Sequence, residues 1–174
     1  VPANGTFLSS APGSRQAASS ASQRESRVSA AEFAVPANAF SHSFAVPRSD
    51  IDDLGHASNV AWVRWVQDAA TTHSRAVGLG LEEYRALGVL WVVRRHEIEY
   101  LAPAFADQEL SAATWIDSMR AATSLRRTVI RRRHDGAQLC HAATTWVLID
   151  LVSGRPTRVP KELLERYGFV GSSR

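Results

Sequence analysis

The sequence predicts an α+β domain in which an antiparallel sheet of about five strands wraps around one long, buried helix. Two observations support this. Apolar side chains recur at helical spacing between residues 58 and 78, and four strand-like segments joined by short links follow. A helix formed early and followed by such a meander gives a sheet with one face on the helix. The other face is left for solvent or a partner.

The long helix is expected to begin after Ser58, a good N-cap residue, and to stop at Gly78. Trp62 and Trp65 fall on one helical face, which predicts that this face is heavily buried. His73 lies on the same face, and we interpret it as a hydrogen-bonded core residue. A short second helix is expected at residues 81–87.

The strands are predicted from runs of β-branched and aromatic residues. One is expected before the long helix, from Phe40 to Val46. The other four are expected at 89–101, 110–119, 125–133 and 139–151. Asp135-Gly136 separates the last two and is a good hairpin signal. A short amphipathic helix at residues 161–167 closes the pattern.

Residues 1–38 differ in composition from residues 39–174, which we assign to the folded domain. Between residues 9 and 31 the chain is rich in Ser, Ala and Gln, so it buries too little apolar surface to offset its ordering entropy. We expect a disordered or leader segment; a transit peptide, a plain tail and a translation-start artefact all stay open. The expected location is the cytoplasm, with organelle import through the leader not excluded.

Composition narrows the function classes. The chain has 174 residues, a net charge of +3 and a single lysine, Lys161, so arginine carries the positive charge. Arginine binds phosphate in a planar, bidentate way, which suits a phosphate-bearing ligand, although an arginine-rich surface alone is an equally good explanation. Cys140 is the only cysteine, which excludes an intrachain disulfide and a cysteine zinc cluster. We interpret it as a small buried hydrophobe, and Asp150 as a turn residue.

A basic run, Arg126-Arg127 and 131–134, could indicate nucleic-acid binding. On a strand, however, these side chains alternate between two faces, and no aromatic platform is interleaved with them. We therefore favour a solvated outer face. The sequence also contains no Gly-x-Ser-x-Gly elbow, which disfavours a serine hydrolase.

The chemistry is expected in the loop at residues 50–59, DIDDLGHASN, where three acids and a histidine precede the most apolar helix. A helix N-terminus offers unpaired N–H groups that can hold an oxyanion. An acid beside them can serve as nucleophile or general base. Acids at this place are also ordinary capping residues, so the pattern alone leaves both interpretations open.

Three segments resemble hotdog-fold thioesterases of the 4-hydroxybenzoyl-CoA thioesterase type. They are DIDDLGHASNVAWVRW at 50–65, HEIEYLAP at 96–103 and RPTRVPKEL at 155–163, and they occur in family order. The resemblance covers about residues 40–167. It implies a hotdog fold and hydrolysis of an acyl-CoA or acyl-carrier-protein thioester.

The resemblance also implies roles for single residues. Asp52 matches the family's catalytic carboxylate, and Asn59 lies where a backbone N–H polarises the thioester carbonyl. Gly55 lies on the substrate's approach, and His56 would orient Asp52 or the substrate, or simply pack. The sequence departs from the family pattern at Trp62, where a tyrosine is commoner, as well as at Ser58 and Asp53.

Arg120 and Arg155 match positions where relatives place arginines on CoA phosphates. No metal and no cofactor are implied, because CoA would be part of the substrate. The family forms dimers or tetramers with active sites at the dimer interface, so we expect at least a homodimer and neither a nucleic-acid partner nor a membrane span.

Two alternatives remain: a non-catalytic acyl-CoA-binding hotdog module, and a hotdog hydratase or dehydratase, which the spacing from Asp52 to His56 disfavours.

Overall fold

The computed structural model describes residues 34–169, so most of the predicted leader lies outside the described residues. The predicted order of elements is confirmed, and a single 3-10 turn, Arg48–Asp50, precedes the first helix. The helices are α1 (Asn59–Ala76), α2 (Leu81–Ala86) and α3 (Lys161–Arg166). The strands are β1 (Phe40–Ala45), β2 (Val89–Tyr100), β3 (Glu109–Arg120), β4 (Thr123–Arg132) and β5 (Gln138–Asp150).

The five strands form one antiparallel sheet in the order β1-β3-β4-β5-β2, which leaves β1 and β2 at its edges. The main core lies between α1 and one face of this sheet. From α1 it takes Trp62, Trp65, Val66 and Ala69, and from the strands Leu110, Ile130, Leu139 and Cys140 among others. The α+β class and the five-stranded sheet around a long helix are thus confirmed.

Helix α1 begins and ends as its sequence predicts. The Ser58 side chain accepts a hydrogen bond from the Ala61 N–H at 3.3 Å, and Gly78 ends the helix with a φ of +73° that favours glycine. Trp62 and Trp65 are both buried, with ring centroids 4.9 Å apart. This aromatic pair fixes α1 against the sheet and holds the helix start in place.

A second, smaller core lies at the other end of α1. It is formed by Leu79, Leu148, Leu163 and Tyr84, so α2 and α3 both pack there. Arg166 of α3 donates a hydrogen bond to the Gly78 carbonyl at 2.6 Å. The closing helix therefore binds the C-terminal end of α1, where carbonyl groups lack helical partners.

The prediction of a solvated outer face for the basic run was wrong for Arg126. This side chain is only 5% exposed; it donates to His73 Nδ1 at 2.9 Å and to Thr114 Oγ1 at 3.3 Å. In β4 the residues that face α1 are Ser124, Arg126, Thr128 and Ile130, so strand alternation turns this arginine inward. His73 is half-buried and hydrogen-bonded, as expected.

Because His73 is partly buried beside Arg126, we expect the stability of the protein to depend on pH. Desolvation, and then the charge of Arg126, lower the pKa of His73 to about 4. The unfolded chain therefore binds a proton at this residue below about pH 6.5, while the folded chain does not until about pH 4. The free energy of unfolding should fall as the pH drops through this interval. We expect His73 to account for roughly 1–2 kcal/mol of that fall, less than the full shift implies, because solvent reaches part of the ring.

Urea titrations at pH 7, 5.5 and 4 would measure this dependence. His73→Gln should flatten it, whereas the matched change at exposed His134 should leave it in place. An equally steep dependence in His73→Gln would contradict the assignment.

Two smaller predictions are confirmed. Cys140 is buried, and burial raises the pKa of its thiol to about 12, so it is not poised as a nucleophile. Asp150 accepts hydrogen bonds from the N–H groups of Val152 and Ser153, as a turn residue does.

None of the helices within residues 34–169 combines the length and apolar character that a membrane span requires.

Candidate active site

The loop between the 3-10 turn and α1 is a compact turn whose backbone is largely hydrogen-bonded to itself. Ile51 and Ala57 form an isolated antiparallel bridge. Within it, the Asp52 N–H donates to the His56 carbonyl at 3.0 Å and the Gly55 N–H donates to the Asp52 carbonyl at 2.9 Å. Gly55 has a φ of +82°, a conformation that glycine adopts without strain. The loop therefore presents the Asp52 side chain in a defined direction.

The Asp52 carboxylate is partly exposed and only lightly engaged. Its side chain is 32% exposed, and Oδ1 accepts the Leu54 N–H at 2.9 Å. Oδ2 lies 3.7 Å from His56 Nδ1, beyond hydrogen-bond distance but close enough for an ion pair with a protonated imidazole. One carboxylate oxygen is thus held by the backbone while the other faces the histidine.

Asp50, the other acid of the Asp-x-Asp pair, is engaged in a different way. Its side chain is only 2% exposed, and it accepts hydrogen bonds from Trp65 Nε1 at 3.0 Å and from Arg64. Its backbone carbonyl also accepts the Ser58 N–H at 2.9 Å. Asp50 therefore ties the loop to α1, and of the two acids it is Asp52 that is open to a substrate.

The first turn of α1 lies beside this loop. The N–H groups of Ala61 and Trp62 are paired with Ser58, whereas those of Asn59 and Val60 make no hydrogen bond within residues 34–169. Both Asn59 and Val60 are exposed. Two adjacent N–H groups at the positive end of an 18-residue helix are suited to stabilise a developing negative charge.

A cleft of about 290 Å³ opens between the start of α1 and the end of β2. It is lined by His56, Ala57, Asn59, Trp62, Tyr100, Leu101, Ala102 and Pro103. Trp62 and Tyr100 face each other edge to face with centroids 6.1 Å apart. The cleft is thus apolar on most sides and polar at the helix start, as a site for an apolar acyl group would be.

Apolar side chains are also exposed on the loop, the helix start and the strand end from which the cleft is built. Leu54 and Val60 are more than three-quarters exposed, and Tyr100, Leu101 and Phe105 are each 44% exposed. Soluble monomers rarely cluster large apolar groups in this way, and such clusters mark binding surfaces.

The two predicted phosphate ligands lie at the opposite end of the sheet. The Asp52 loop adjoins the start of β3, which pairs with the end of β1, whereas Arg120 is the last residue of β3. The segment after Arg155 is hydrogen-bonded to the β3–β4 turn, where Val159 N–H donates to the Ala121 carbonyl. Because β3 spans 12 residues, its ends lie roughly 36 Å apart. One chain alone does not bring Arg120 and Arg155 to Asp52.

The structure therefore brings together Asp52, Gly55, His56 and Asn59, four of the six residues expected at the site. It adds the wall formed by Tyr100, Leu101, Ala102 and Pro103, which the sequence indicates only as part of the segment at 96–103.

Comparison with known proteins agrees with this architecture. A family model described as the acyl-ACP thioesterase N-terminal domain matches residues 37–167, most of the chain. The acyl-CoA thioester hydrolase YbgC of Escherichia coli is 30% identical over 118 residues, which cover 68% of this chain and 87% of that protein.

Solved structures show the same fold. A putative oleoyl thioesterase from Lactobacillus plantarum aligns with a TM-score of 0.71 and 25% identity over 77% of this chain and 53% of that one, about half its length. The hypothetical protein SAV2348 from Staphylococcus aureus, in complex with CoA, aligns with a TM-score of 0.70 and 16% identity over 74% and 81% of the two chains. A 1,4-dihydroxy-2-naphthoyl-CoA thioesterase from Synechocystis aligns with a TM-score of 0.69 and 18% identity over 75% and 96%. With the family model and the Escherichia coli relative, these likenesses show that the chain belongs to the hotdog-fold thioesterases and is a thioester hydrolase.

Proposed function

We propose that the chain hydrolyses an acyl-CoA or acyl-carrier-protein thioester with Asp52 as nucleophile or general base. The observation that carries this proposal is the contrast within the Asp-x-Asp pair. Asp50 is buried and bound to α1, whereas Asp52 is open beside a helix start whose first two N–H groups are unpaired within the described residues.

In the proposed reaction the thioester carbonyl oxygen accepts hydrogen bonds from the N–H groups of Asn59 and Val60. Asp52 then either attacks the carbonyl carbon or takes a proton from an attacking water. Collapse of the tetrahedral intermediate breaks the C–S bond and releases the thiolate. If Asp52 is the nucleophile, water then hydrolyses the resulting acyl-aspartyl anhydride. By either route the thiolate takes up the proton that the water loses, so one water is consumed and one acid and one thiol are formed.

His56 has a positioning role in this scheme. Its ring lines the cleft, and Nδ1 lies 3.7 Å from Asp52 Oδ2. A small approach of the ring would let it hold the second carboxylate oxygen, since apo hydrogen bonds often tighten in the substrate complex. The apolar wall around Trp62 and Tyr100 would hold the acyl group.

A homodimer would complete the site. β2 is an edge strand of 12 residues, and exposed edges pair readily with a second copy. The β2 strands of two copies could pair antiparallel around a two-fold axis at the middle of the strand. The end of one sheet that carries Arg120 and Arg155 would then lie beside the Asp52 end of the other sheet. The Arg120 and Arg155 of the second copy would then lie near the cleft and could bind CoA phosphates.

Breaking this edge should therefore prevent dimer formation and lower the activity. The register between β2 and β5 skips Arg94 at a bulge, so Arg94→Pro should disturb β2–β5 pairing little while blocking a strand on the outer side. We expect a monomer by light scattering at micromolar concentration and a loss of turnover of at least about tenfold. Arg94→Gln is the matched control and should remain dimeric and active; a monomeric, fully active native protein would contradict the proposed dimer.

Release of free thiol measures the activity itself. The native protein should be offered aryl and short to long aliphatic acyl-CoAs, and the same acyl groups on a carrier protein. Turnover of at least one substrate supports the proposal and identifies the acyl class and carrier. Binding of acyl-CoA without thiol release would instead support the non-catalytic module, and hydration of an enoyl substrate the hydratase.

A further inference from the structure

A second cavity, of about 310 Å³, lies at the other end of α1 and shares no lining residue with the Asp52 cleft. It is bordered by the C-terminal half of α1, by α2 and by the sheet. Its apolar walls are Ala70, Leu79, Leu90, Trp91, Ile116 and Trp146. A volume of this size suits a small organic molecule.

One wall of this cavity carries a buried positive charge. Arg126 is 5% exposed, and no Asp or Glu within residues 34–169 forms an ion pair with it. Its partners are His73 Nδ1, Thr114 Oγ1 and Tyr167, which contributes its hydroxyl and its ring, whose centroid lies 5.9 Å away. None of these partners is a carboxylate, and burial of a charge is costly unless an opposite charge compensates it.

His73 does not supply the missing negative charge, because its imidazole can be only neutral or positive. Its lowered pKa of about 4 keeps it neutral at pH 7, where it accepts the hydrogen bond from Arg126.

Further hydrogen-bonding groups border the same space. The hydroxyl of Tyr167 lies 2.6 Å from Ser74 Oγ and 3.0 Å from the hydroxyl of Tyr84. A guanidinium on the wall of an apolar cavity favours a ligand that carries acceptor oxygens and a negative charge.

We propose that this cavity binds a small organic carboxylate, with the carboxylate on Arg126 and an aryl or short alkyl body against the apolar walls. The binding does not depend on the role proposed for Asp52. The carboxylate could belong to a free acid, which is the product class of a thioester hydrolase. It could instead be the distal end of the acyl group of a substrate bound at the Asp52 cleft of a second copy. Both sources share the same chemistry at Arg126.

Benzoate is a suitable probe, with benzamide as its neutral counterpart of nearly the same shape. Trp91 and Trp146 line the cavity, so binding should change the intrinsic tryptophan fluorescence of the full chain, and equilibrium dialysis with labelled benzoate gives the stoichiometry. We expect benzoate to bind at least about tenfold more tightly than benzamide, the usual effect of a hydrogen-bonded charge. Asp52→Asn should bind benzoate as the native protein does, which separates this test from that of the proposed function.

Two variants test the site, and one controls for charge. Arg126→Gln should remove the preference for benzoate. Ser124→Leu, which fills the cavity without touching the charge, should weaken both probes, and thermal unfolding would verify that each variant is folded. Arg127→Gln removes the same charge from the neighbouring position, which pairs with Asp117, and should change nothing.

Equal binding of benzoate and benzamide to the native protein, or no saturable binding, would overturn the proposal, as would an equal loss in Arg127→Gln. Thiol-release kinetics then separate the two sources. Benzoate that raises KM without changing kcat would identify the ligand as the acyl end of a substrate. Binding that leaves both constants unchanged would identify a separate free acid.

Discussion

Asp52→Asn is expected to lower the rate of thiol release at least ~100-fold, because the variant removes the group proposed to attack the carbonyl or to activate water. Its stability should change little. The side chain is 32% exposed and accepts one hydrogen bond, from the Leu54 N–H, which the asparagine carbonyl oxygen can still accept. Initial rates with the best acyl-CoA, measured beside a thermal unfolding curve, give both quantities.

Asp53→Asn is the matched control, because it makes the same chemical change at an exposed acid one residue further on. It should retain activity within a few-fold. If Asp52→Asn were as active as the native protein while Asp53→Asn were not, the protein would be a hydrolase whose catalytic acid is Asp53 and not Asp52.

Asp50→Ala is expected to show the opposite pattern, a large loss of stability. The substitution leaves the buried Trp65 Nε1 without an acceptor and Arg64 without its partner, and loosens the start of α1. We expect the free energy of unfolding to fall by about 2–4 kcal/mol, since a buried donor left unpaired costs its desolvation energy. The corresponding fall in Tm is roughly 10 °C.

Asp68→Ala provides the comparison, because Asp68 is an exposed acid on the same helix. Its loss should change the free energy of unfolding by no more than about 0.5 kcal/mol. A stable Asp50→Ala variant would mean that the buried contact between this acid and Trp65 contributes little to the position of α1.

Most of the fold could be predicted from the sequence, because each element carries a local signal. Ser58 and Gly78 mark the ends of α1, and Asp135-Gly136 marks a hairpin, with an error of one or two residues at the strand ends. The inward position of Arg126 could not be predicted in the same way. Its burial follows from which face of β4 meets α1, and that depends on pairing with β3 and β5.

The site was predicted in part for a similar reason. The loop from Asp50 to Asn59 is local, so its residues come together as expected. The different roles of Asp50 and Asp52 depend on Trp65 in the second turn of α1. Its indole N–H donates a hydrogen bond to Asp50 and not to Asp52. The arginines at 120 and 155 lie too far away for one chain to use, and that separation comes from strand length and register.

The separation has a genetic consequence under the proposed β2 pairing. Each substrate would be held by a carboxylate from one chain and by arginines from the other. A variant without Asp52 would lack the proposed catalytic group, and a variant without Arg155 would lack a contact to the CoA phosphates. A mixed dimer of the two variants would still contain one complete site. Two defective alleles could therefore complement each other when they are expressed in one cell.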